Sequence, residues 1–385
     1  MNRLLRLPSI YLVLPMVLAC VLTLYSFDMP DTYLQGLSLL TVASLGVLLI
    51  DVLFGTRLPP LASFRHHRYA GTREAFVALA YAVAVGLFCL LDLALFPIPL
   101  LTNPSSYATM EGGHQHIRHI SDMCWTLPPI GLLCARNRWL RWALIMTGVV
   151  FPVLAIDRNR IFASLFALAM VLLLRRDEHK RVPWLRVVFL VVLGGTVFSV
   201  LGMLRSGSLD TVTLPFSEAY RNASQGVKWL LLYIGAGPYN FGAIYAKHYA
   251  NASFLISQLV PGASAVATAD TDIPLDAPNI NVGTEFFPFL MAFGPAGALL
   301  SMIGLYALLA WSVRRLQASA ALFPLLIFLR VAYVCVMSPF APQAYTWTNA
   351  GFIAVCLLLQ ALAAWLPNRN ALHQPSDEHT DYATR

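Results

Sequence analysis

The chain has 385 residues, of which 58% are hydrophobic and 12% are charged, and its formal net charge is +7. A soluble globular domain carries about 25% charged residues, so this composition excludes an ordinary soluble enzyme. The apolar residues form repeated runs of about 18 residues or more, which indicates a polytopic membrane protein. The basic residues lie in short turns between these runs, so the positive charge indicates membrane topology rather than nucleic-acid binding.

The apolar runs predict an all-α polytopic membrane protein with about ten transmembrane helices, each close to the roughly 20 residues that cross the hydrocarbon core. The first run begins like a signal peptide but is longer than the apolar region of one, so we interpret it as an uncleaved span. The predicted spans are Pro8 to Phe27, Leu34 to Phe54, Ala75 to Phe96, His119 to Ala135, Trp142 to Ile156, Ile161 to Leu174, Trp184 to Leu204, Phe286 to Val313, Ala318 to Phe340 and Asn349 to Leu366.

Arginine and lysine are concentrated in alternate short connections, which places those connections and both chain ends in the cytoplasm. The residues concerned are Arg3, Arg6, Arg57, Arg65, Arg68, Arg73, Arg136, Arg138, Arg141, Arg175, Arg176, Lys180, Arg181, Arg314 and Arg315. We therefore expect a bacterial inner-membrane protein whose remaining connections face the periplasm.

The polar residues divide the chain into four parts. Residues 1–204 form a first bundle of about seven spans, residues 205–285 a large periplasmic loop, residues 286–366 about three further spans, and residues 367–385 a disordered cytoplasmic tail. The loop contains a moderately apolar, glycine-broken piece from Leu230 to Tyr245, which we interpret as a short re-entrant or interfacial helix. Because this loop carries most of the charge outside the cytoplasm, we expect chemistry on a headgroup or water-borne substrate there.

Two arginines on the predicted outer face break the positive-inside pattern. Arg158 and Arg160 lie in a turn of a few residues between the fifth and sixth spans. In one interpretation Asp157 pairs with one of them, or they contact lipid headgroups. In the other, their planar guanidinium groups bind a pyrophosphate through bidentate, charge-assisted hydrogen bonds.

Arg330 is a further exception because it lies inside the apolar run of the ninth span. A charge at such a position faces the interior of a helix bundle or a water-filled cavity. Its role is either a structural pair with a buried carboxylate, such as Asp92 or Asp51, or a functional one.

The loop supplies further phosphate-binding candidates. They are Arg205 and Arg221, which Lys228, Lys247 and His248 could support, and the alternative for each is simple solvation. The candidates for a general base that takes a proton from a sugar hydroxyl are His248 and Glu285, since both lie where the loop returns to the membrane, followed by Asp122.

Three histidines at metal-like spacing, His114, His116 and His119, precede Asp122. No second cluster completes a coordination sphere, so we expect contact with substrate or headgroups, and neither a metal nor another cofactor. The six cysteines lie in or beside apolar segments, which favours packing as small hydrophobes over disulfides.

Three stretches together resemble the oligosaccharide repeat-unit polymerases of the Wzy type. Asn279 to Leu300 (NINVGTEFFPFLMAFGPAGALL) resembles their asparagine–threonine–aromatic entry into a span, followed by Gly-x-x-Gly. Arg158 to Leu174 is similar to their arginine-led span, and Leu230 to Tyr245 to the piece before the second half of their loop. The resemblance covers residues 157–313, and Ala292 departs from it because an acidic residue is expected there.

The resemblance implies a metal-independent glycosyltransferase of the GT-C class, similar to O-antigen and exopolysaccharide polymerases. Such an enzyme transfers a glycan growing on undecaprenyl pyrophosphate to the distal sugar of a new lipid-linked unit, at the periplasmic face, often beside a chain-length regulator. The reaction needs cations that stabilise the departing pyrophosphate, correct orientation, and a base. The residues that fit the first need are Arg158, Arg160, Arg205, Arg221 and Arg330, and those that fit the last are His248 and Glu285.

Three other functions stay open at this point. An O-antigen ligase shares the architecture and the donor but transfers to lipid A-core. A transporter or flippase of lipid-linked glycans would carry more charge inside its spans and shorter outer loops. A membrane acyltransferase would need a histidine-centred motif, for which residues 113–119 (GHQHIRH) are the candidate.

Overall fold

The computed structural model of the chain describes residues 6–58, 64, 67–102, 115–176, 209, 213–261, 263, 273–277, 280 and 282–366, and separate residues between them at 185, 188–189, 192, 194–196, 199–200 and 202–203. The side chains of residues 115 and 116 fall outside this description. Within the described residues the secondary structure is helical, apart from an isolated antiparallel bridge between Phe27 and Phe216.

Thirteen α-helices and one 3₁₀ turn are described along the chain. They are α1 (Ile10–Ser26), α2 (Asp31–Phe54), α3 (Arg73–Leu95), α4 (Gln115–Ser121), a 3₁₀ turn (Asp122–Thr126), α5 (Leu127–Cys134), α6 (Arg138–Leu154), α7 (Arg158–Leu174), α8 (Glu218–Arg221), α9 (Gln225–Lys247), α10 (Ser253–Leu259), α11 (Phe287–Ala318), α12 (Leu322–Met337) and α13 (Trp347–Trp365).

Four of these described helices, α2, α3, α11 and α13, are long and apolar enough to cross a membrane, while α1 and α12 are apolar but shorter. By the length and composition of its helices the chain is therefore a helical membrane protein. The predicted seventh span, Trp184 to Leu204, is covered only by separate residues, and the predicted tail lies outside the described residues.

The predicted fourth span, His119 to Ala135, is not one continuous α-helix. The 3₁₀ turn separates α4 from α5, and Pro128 and Pro129 follow directly at the start of α5. Neither proline has the N–H that would continue an α-helical ladder back to the turn. The break therefore follows from the sequence, and it leaves Asp122 at the start of a tight turn rather than inside a helix.

Helix α12 is the centre of the bundle. Nearly all of its side chains are buried, and it packs against α1, α3, α7, α11 and α13. A helix that is apolar on every face is stable only when neighbours surround it. Any polar side chain on α12 is consequently held inside the bundle.

The predicted glycine-broken piece is instead part of one 23-residue helix, α9, which crosses α1 and α2. Its glycines lie at close contacts: a Cβ on Gly242 would come within 2.7 Å of the carbonyl oxygen of Tyr33, and one on Gly36 within 2.8 Å of the Cα of Gly242. Small residues let helix backbones approach closely in membrane proteins. Packing against α2 thus outweighs the low helix propensity of glycine.

The long helix α11 is kinked at Gly294, which has a φ of 68°. Pro295 follows directly. Proline has no N–H to donate to the carbonyl of Met291, four residues earlier. The backbone N–H of Asn251, in the connection between α9 and α10, donates to that carbonyl at 2.9 Å. The carbonyl left without its helical donor at the kink therefore has a hydrogen-bond partner.

Replacement of Gly36 by Ala tests the contact between α2 and α9. The added methyl overpacks this contact, which costs about 1–3 kcal/mol, so the melting temperature in detergent should fall. Gly46 lies on the same helix with nothing within 4 Å of an added Cβ, so Gly46→Ala should leave the melting temperature unchanged or raise it. Equal effects of the two substitutions would contradict the close approach of the helices.

Candidate functional site

A cavity of about 440 Å³ lies at the end of the bundle where α7 begins and α12 ends. Two connections that the sequence assigns to the same face of the membrane meet here, the turn before α7 and the loop between α12 and α13. The cavity is lined by Asp122, Met123, Trp125, Asp157, Asn159, Arg160, Ala163, Tyr233, Arg330, Ala341, Pro342, Gln343, Thr346 and Thr348.

Arg330 reaches this cavity from the central helix α12. It lies seven residues before Met337, the last residue of α12, which places it roughly 10 Å from the helix end at 1.5 Å per residue. Its Nε donates to Oδ1 of Asn349 at 3.1 Å, and no described carboxylate lies within ion-pair distance of it. The side chain is half-buried, so its terminal nitrogens are left to the cavity.

Arg330 does not pair with Asp51 or Asp92, the two carboxylates named from the sequence. Asp51 accepts from the backbone N–H of Ser9 at 2.9 Å and from the Tyr306 hydroxyl at 2.8 Å. Asp92 accepts from the Ser121 hydroxyl at 2.6 Å. Both carboxylates join helices elsewhere in the bundle.

Asn349 is oriented by its own contacts at the start of α13. Its Nδ2 donates to the carbonyl of Ala344 at 2.8 Å, and its backbone N–H donates to Oγ1 of Thr346 at 3.2 Å. With Nδ2 engaged, Oδ1 is the part of the amide that faces Arg330. The amide therefore fixes the direction of the guanidinium without neutralising its charge.

Glu285 holds the loop that carries these residues. Its Oε2 accepts from the backbone N–H groups of Gln343 at 2.5 Å and Ala344 at 2.9 Å, and its Oε1 accepts from that of Tyr345 at 3.2 Å. The side chain is fully buried and does not line the cavity. Burial raises the pKa of Glu285 to about 7, while the three N–H donors and Arg330 act in the opposite direction. The geometry gives Glu285 a supporting position, in contrast to the general base predicted from the sequence.

Arg160 is enclosed by two carboxylates. Its Nε lies 2.9 Å from Oδ2 of Asp157, and its Nη2 is in contact with Oδ1 of Asp122. Asp157 also caps α7, because its Oδ1 accepts the backbone N–H of Arg160 at 3.1 Å. The predicted pairing of Asp157 with one of the two arginines is confirmed, and Asp122 is a second partner that the sequence did not indicate.

Arg158 lies behind one wall of the cavity. Its guanidinium lies over the ring of Tyr233 at 5.5 Å, and Tyr233 also stacks with the ring of Phe340 at 5.6 Å. Tyr233 itself lines the cavity. The structure thus brings Arg160 and Arg330 into one cavity and places Arg158 next to it.

Asn159 and Gln343 add neutral polar groups to the lining, and the sequence analysis missed them. The Tyr333 hydroxyl lies 2.6 Å from Oδ1 of Asn159, and Nε2 of Gln343 donates to the same oxygen at 3.0 Å. Trp125 and Tyr233 also line the cavity, so the lining combines aromatic and hydrogen-bonding side chains, as small-molecule sites do. The sequence signal that could have identified these polar groups was Asn159, because it lies between Arg158 and Arg160 in the turn.

The other predicted loop residues that the structure describes do not line the cavity. Arg221 is exposed at the end of α8, and His248 is exposed in a left-handed conformation (φ 47°) after α9. Nζ of Lys247 donates to Oδ1 of Asp276 at 2.6 Å and to the carbonyl of Pro274 at 2.7 Å. Arg205 lies outside the described residues, and Lys228 is a residue of α9 that is absent from the lining.

The histidine cluster is only partly described. His119 contacts the ring of Trp347 edge to face at 4.8 Å, which joins α4 to the start of α13. His114 and the side chain of His116 lie outside the described residues, where the metal alternative stays untested.

Replacement of Glu285 by Gln tests its supporting position. At pH 8, above the pKa of about 7, the wild-type carboxylate accepts three N–H groups. The amide of glutamine turns an NH₂ toward at least one donor, and one unsatisfied buried donor costs about 1–3 kcal/mol. The melting temperature should fall, whereas Glu218→Gln, at an exposed residue, should have no effect. Equal stability of both variants would contradict the contacts of Glu285.

The cavity can hold an anion next to a hydroxylated ring, with Arg330 and Arg160 toward the anion and the aromatic and amide groups toward the ring. Its carboxylates also place proton acceptors within the same cavity. Comparison of the chain with protein-family models, with curated proteins and with solved structures finds no match.

Proposed function

We propose that the chain polymerises lipid-linked oligosaccharide repeat units, with the pyrophosphate of the donor bound in the cavity between α7 and α12. The observation that carries the proposal is the Arg330 side chain, a cation on a buried apolar helix whose terminal nitrogens are left to a cavity. An arginine held in this way marks a substrate path in many membrane proteins.

The chemistry follows from the nature of the donor. A hydroxyl of the incoming unit attacks the anomeric carbon of the growing glycan, and the bond from that carbon to the pyrophosphate oxygen breaks. Negative charge then develops on the pyrophosphate, where a preorganised guanidinium stabilises it. Arg330 is preorganised because Asn349 fixes its Nε, and Arg160 and Arg158 lie nearby on α7.

The neutral part of the cavity is suited to sugar. Asn159, Gln343, Thr346 and Thr348 offer hydrogen bonds to hydroxyl groups. Trp125 and Tyr233 add apolar atoms to the same lining. A site that held the lipid phosphate alone would have no use for this second group of residues.

The proposed reaction also requires a particular orientation of the chain in the membrane. We place the cavity on the periplasmic face of a bacterial inner membrane, both chain ends in the cytoplasm, and about ten spans in all. The resemblance to Wzy-type polymerases supports this arrangement through the arginine-led start of α7 and the aromatic entry into α11. The proposed partners are undecaprenyl-pyrophosphate-linked oligosaccharide, membrane lipid and a chain-length regulator.

Replacement of Arg330 by Gln tests the proposal in a deletion strain of the source bacterium, with surface polysaccharide separated on a gel. The wild-type gene should restore the ladder of polymer lengths. Arg330→Gln should leave single repeat units, since loss of one charge-assisted donor to the transition state lowers the rate about 10²–10³-fold. Arg330→Lys keeps the charge but loses the planar fork, so it should give a short ladder.

Arg221→Gln is the matched control, because Arg221 is exposed and does not line the cavity. It should restore the full ladder at normal protein levels. A full ladder from Arg330→Gln would contradict the role of the cavity. Polymer that persists on its lipid but is missing from lipid A-core would identify a ligase instead, and unchanged polysaccharide in the deletion strain would exclude both enzymes.

A further inference from the structure

The two carboxylates of the cavity hold Arg160 in different ways. Asp157 lies 2.9 Å from its Nε as an ion pair, and as the cap of α7 it accepts the backbone N–H of Arg160 at 3.1 Å. Asp122 contacts Nη2 of Arg160 from the separate 3₁₀ turn. The Asp157 side chain is 12% exposed and that of Asp122 is 41% exposed. Asp157 is therefore built into the helix start, and Asp122 is the partner that can be replaced.

We propose that the donor pyrophosphate displaces Asp122 from Arg160, and that the released Asp122 is the base which deprotonates the acceptor hydroxyl. This inference rests on the proposed function, and it names the base of the same site. One anion thus replaces another on Arg160: the pyrophosphate binds Nη2, and the released Asp122 carboxylate can accept a proton in the cavity.

The charges explain why an exchange is favourable. Without substrate, the two carboxylates balance Arg160 and Arg330 in the lining of the cavity. A pyrophosphate group carries more charge than one carboxylate and matches the planar edge of a guanidinium. When it binds Nη2, Asp122 loses its neighbouring cation, and its affinity for a proton rises.

The acceptor oxygen forms a bond to the anomeric carbon of the donor glycan while its proton passes to the Asp122 carboxylate. The bond from the anomeric carbon to the pyrophosphate oxygen breaks, and its electron pair stays on the pyrophosphate, which Arg160 and Arg330 hold. When the lipid pyrophosphate leaves, Asp122 gives its proton to water and pairs with Arg160 again.

The test measures inorganic pyrophosphate binding to the full chain in detergent by calorimetry, in a buffer without divalent cations. Asp122→Asn removes the competing carboxylate, so pyrophosphate should bind about tenfold more tightly, equivalent to about 1.4 kcal/mol. Asp157→Asn removes the same charge but keeps a capping oxygen, and Asp157 is not displaced, so binding should change less than about threefold. In an Arg160→Gln background, Asp122→Asn should no longer tighten binding.

The polymer assay in the deletion strain gives the second measurement. Asp122→Asn should bind pyrophosphate tightly yet leave single repeat units, a combination that loss of folding cannot produce. If that variant does not accumulate in the membrane, Asp122→Ser replaces it in both assays.

Three outcomes would overturn the exchange: unchanged or weaker binding by Asp122→Asn, equal tightening by Asp157→Asn, or a normal ladder from Asp122→Asn. A deletion strain with unchanged polysaccharide would overturn the proposed function and the role of Asp122 as its base. Tighter binding by Asp122→Asn alone would then still establish the displacement of Asp122 by an anion.

Discussion

The charge of Arg330 is the constraint on which the rest of the site depends. A guanidinium on a helix that is buried on nearly every face must find a partner or a polar cavity, because an isolated charge in an apolar interior is unstable. The structure provides one oriented amide, from Asn349, and a cavity beyond it. The neighbouring helices enclose α12 and leave this cavity where α7 begins and α12 ends.

A series of buried polar contacts supports that arrangement. Glu285 binds the backbone of residues 343–345, Ala344 accepts from Asn349, and Asn349 accepts from Arg330. The loop also passes close to α9, since a Cβ on Gly237 would lie 2.1 Å from the carbonyl oxygen of Pro339. The cavity is therefore held by backbone contacts from three separate parts of the chain, which is the kind of support that a preorganised site needs.

The sequence predicts the helices better than it predicts the site. Apolar runs and caps such as Asp157 are local signals, so the starts of α2, α7 and α13 lie within a few residues of the predicted spans. The sequence predicts only a short helix within α9, because Gly235, Gly237, Pro238 and Gly242 are local breakers, whereas contacts with α1, α2 and Pro339 decide their conformation.

The candidates for a base show the same limit, since neither His248 nor Glu285 lines the cavity. His248 and Glu285 were selected for their position along the chain, near a return to the membrane. Which residues share the cavity depends instead on which helix ends converge, and Asp122 and Arg160 are 38 residues apart in sequence yet in contact. Arg160 and Arg330 were identified because a charge that breaks a topology or hydropathy pattern is itself a local signal.

A structure of the full chain in a lipid nanodisc with undecaprenyl pyrophosphate, determined by electron cryomicroscopy, tests the central claim most directly. The account predicts phosphate density within hydrogen-bonding distance of the terminal nitrogens of Arg330, inside the cavity between α7 and α12. Phosphate density bound at Arg221 or His248 instead, with the cavity empty, would contradict it.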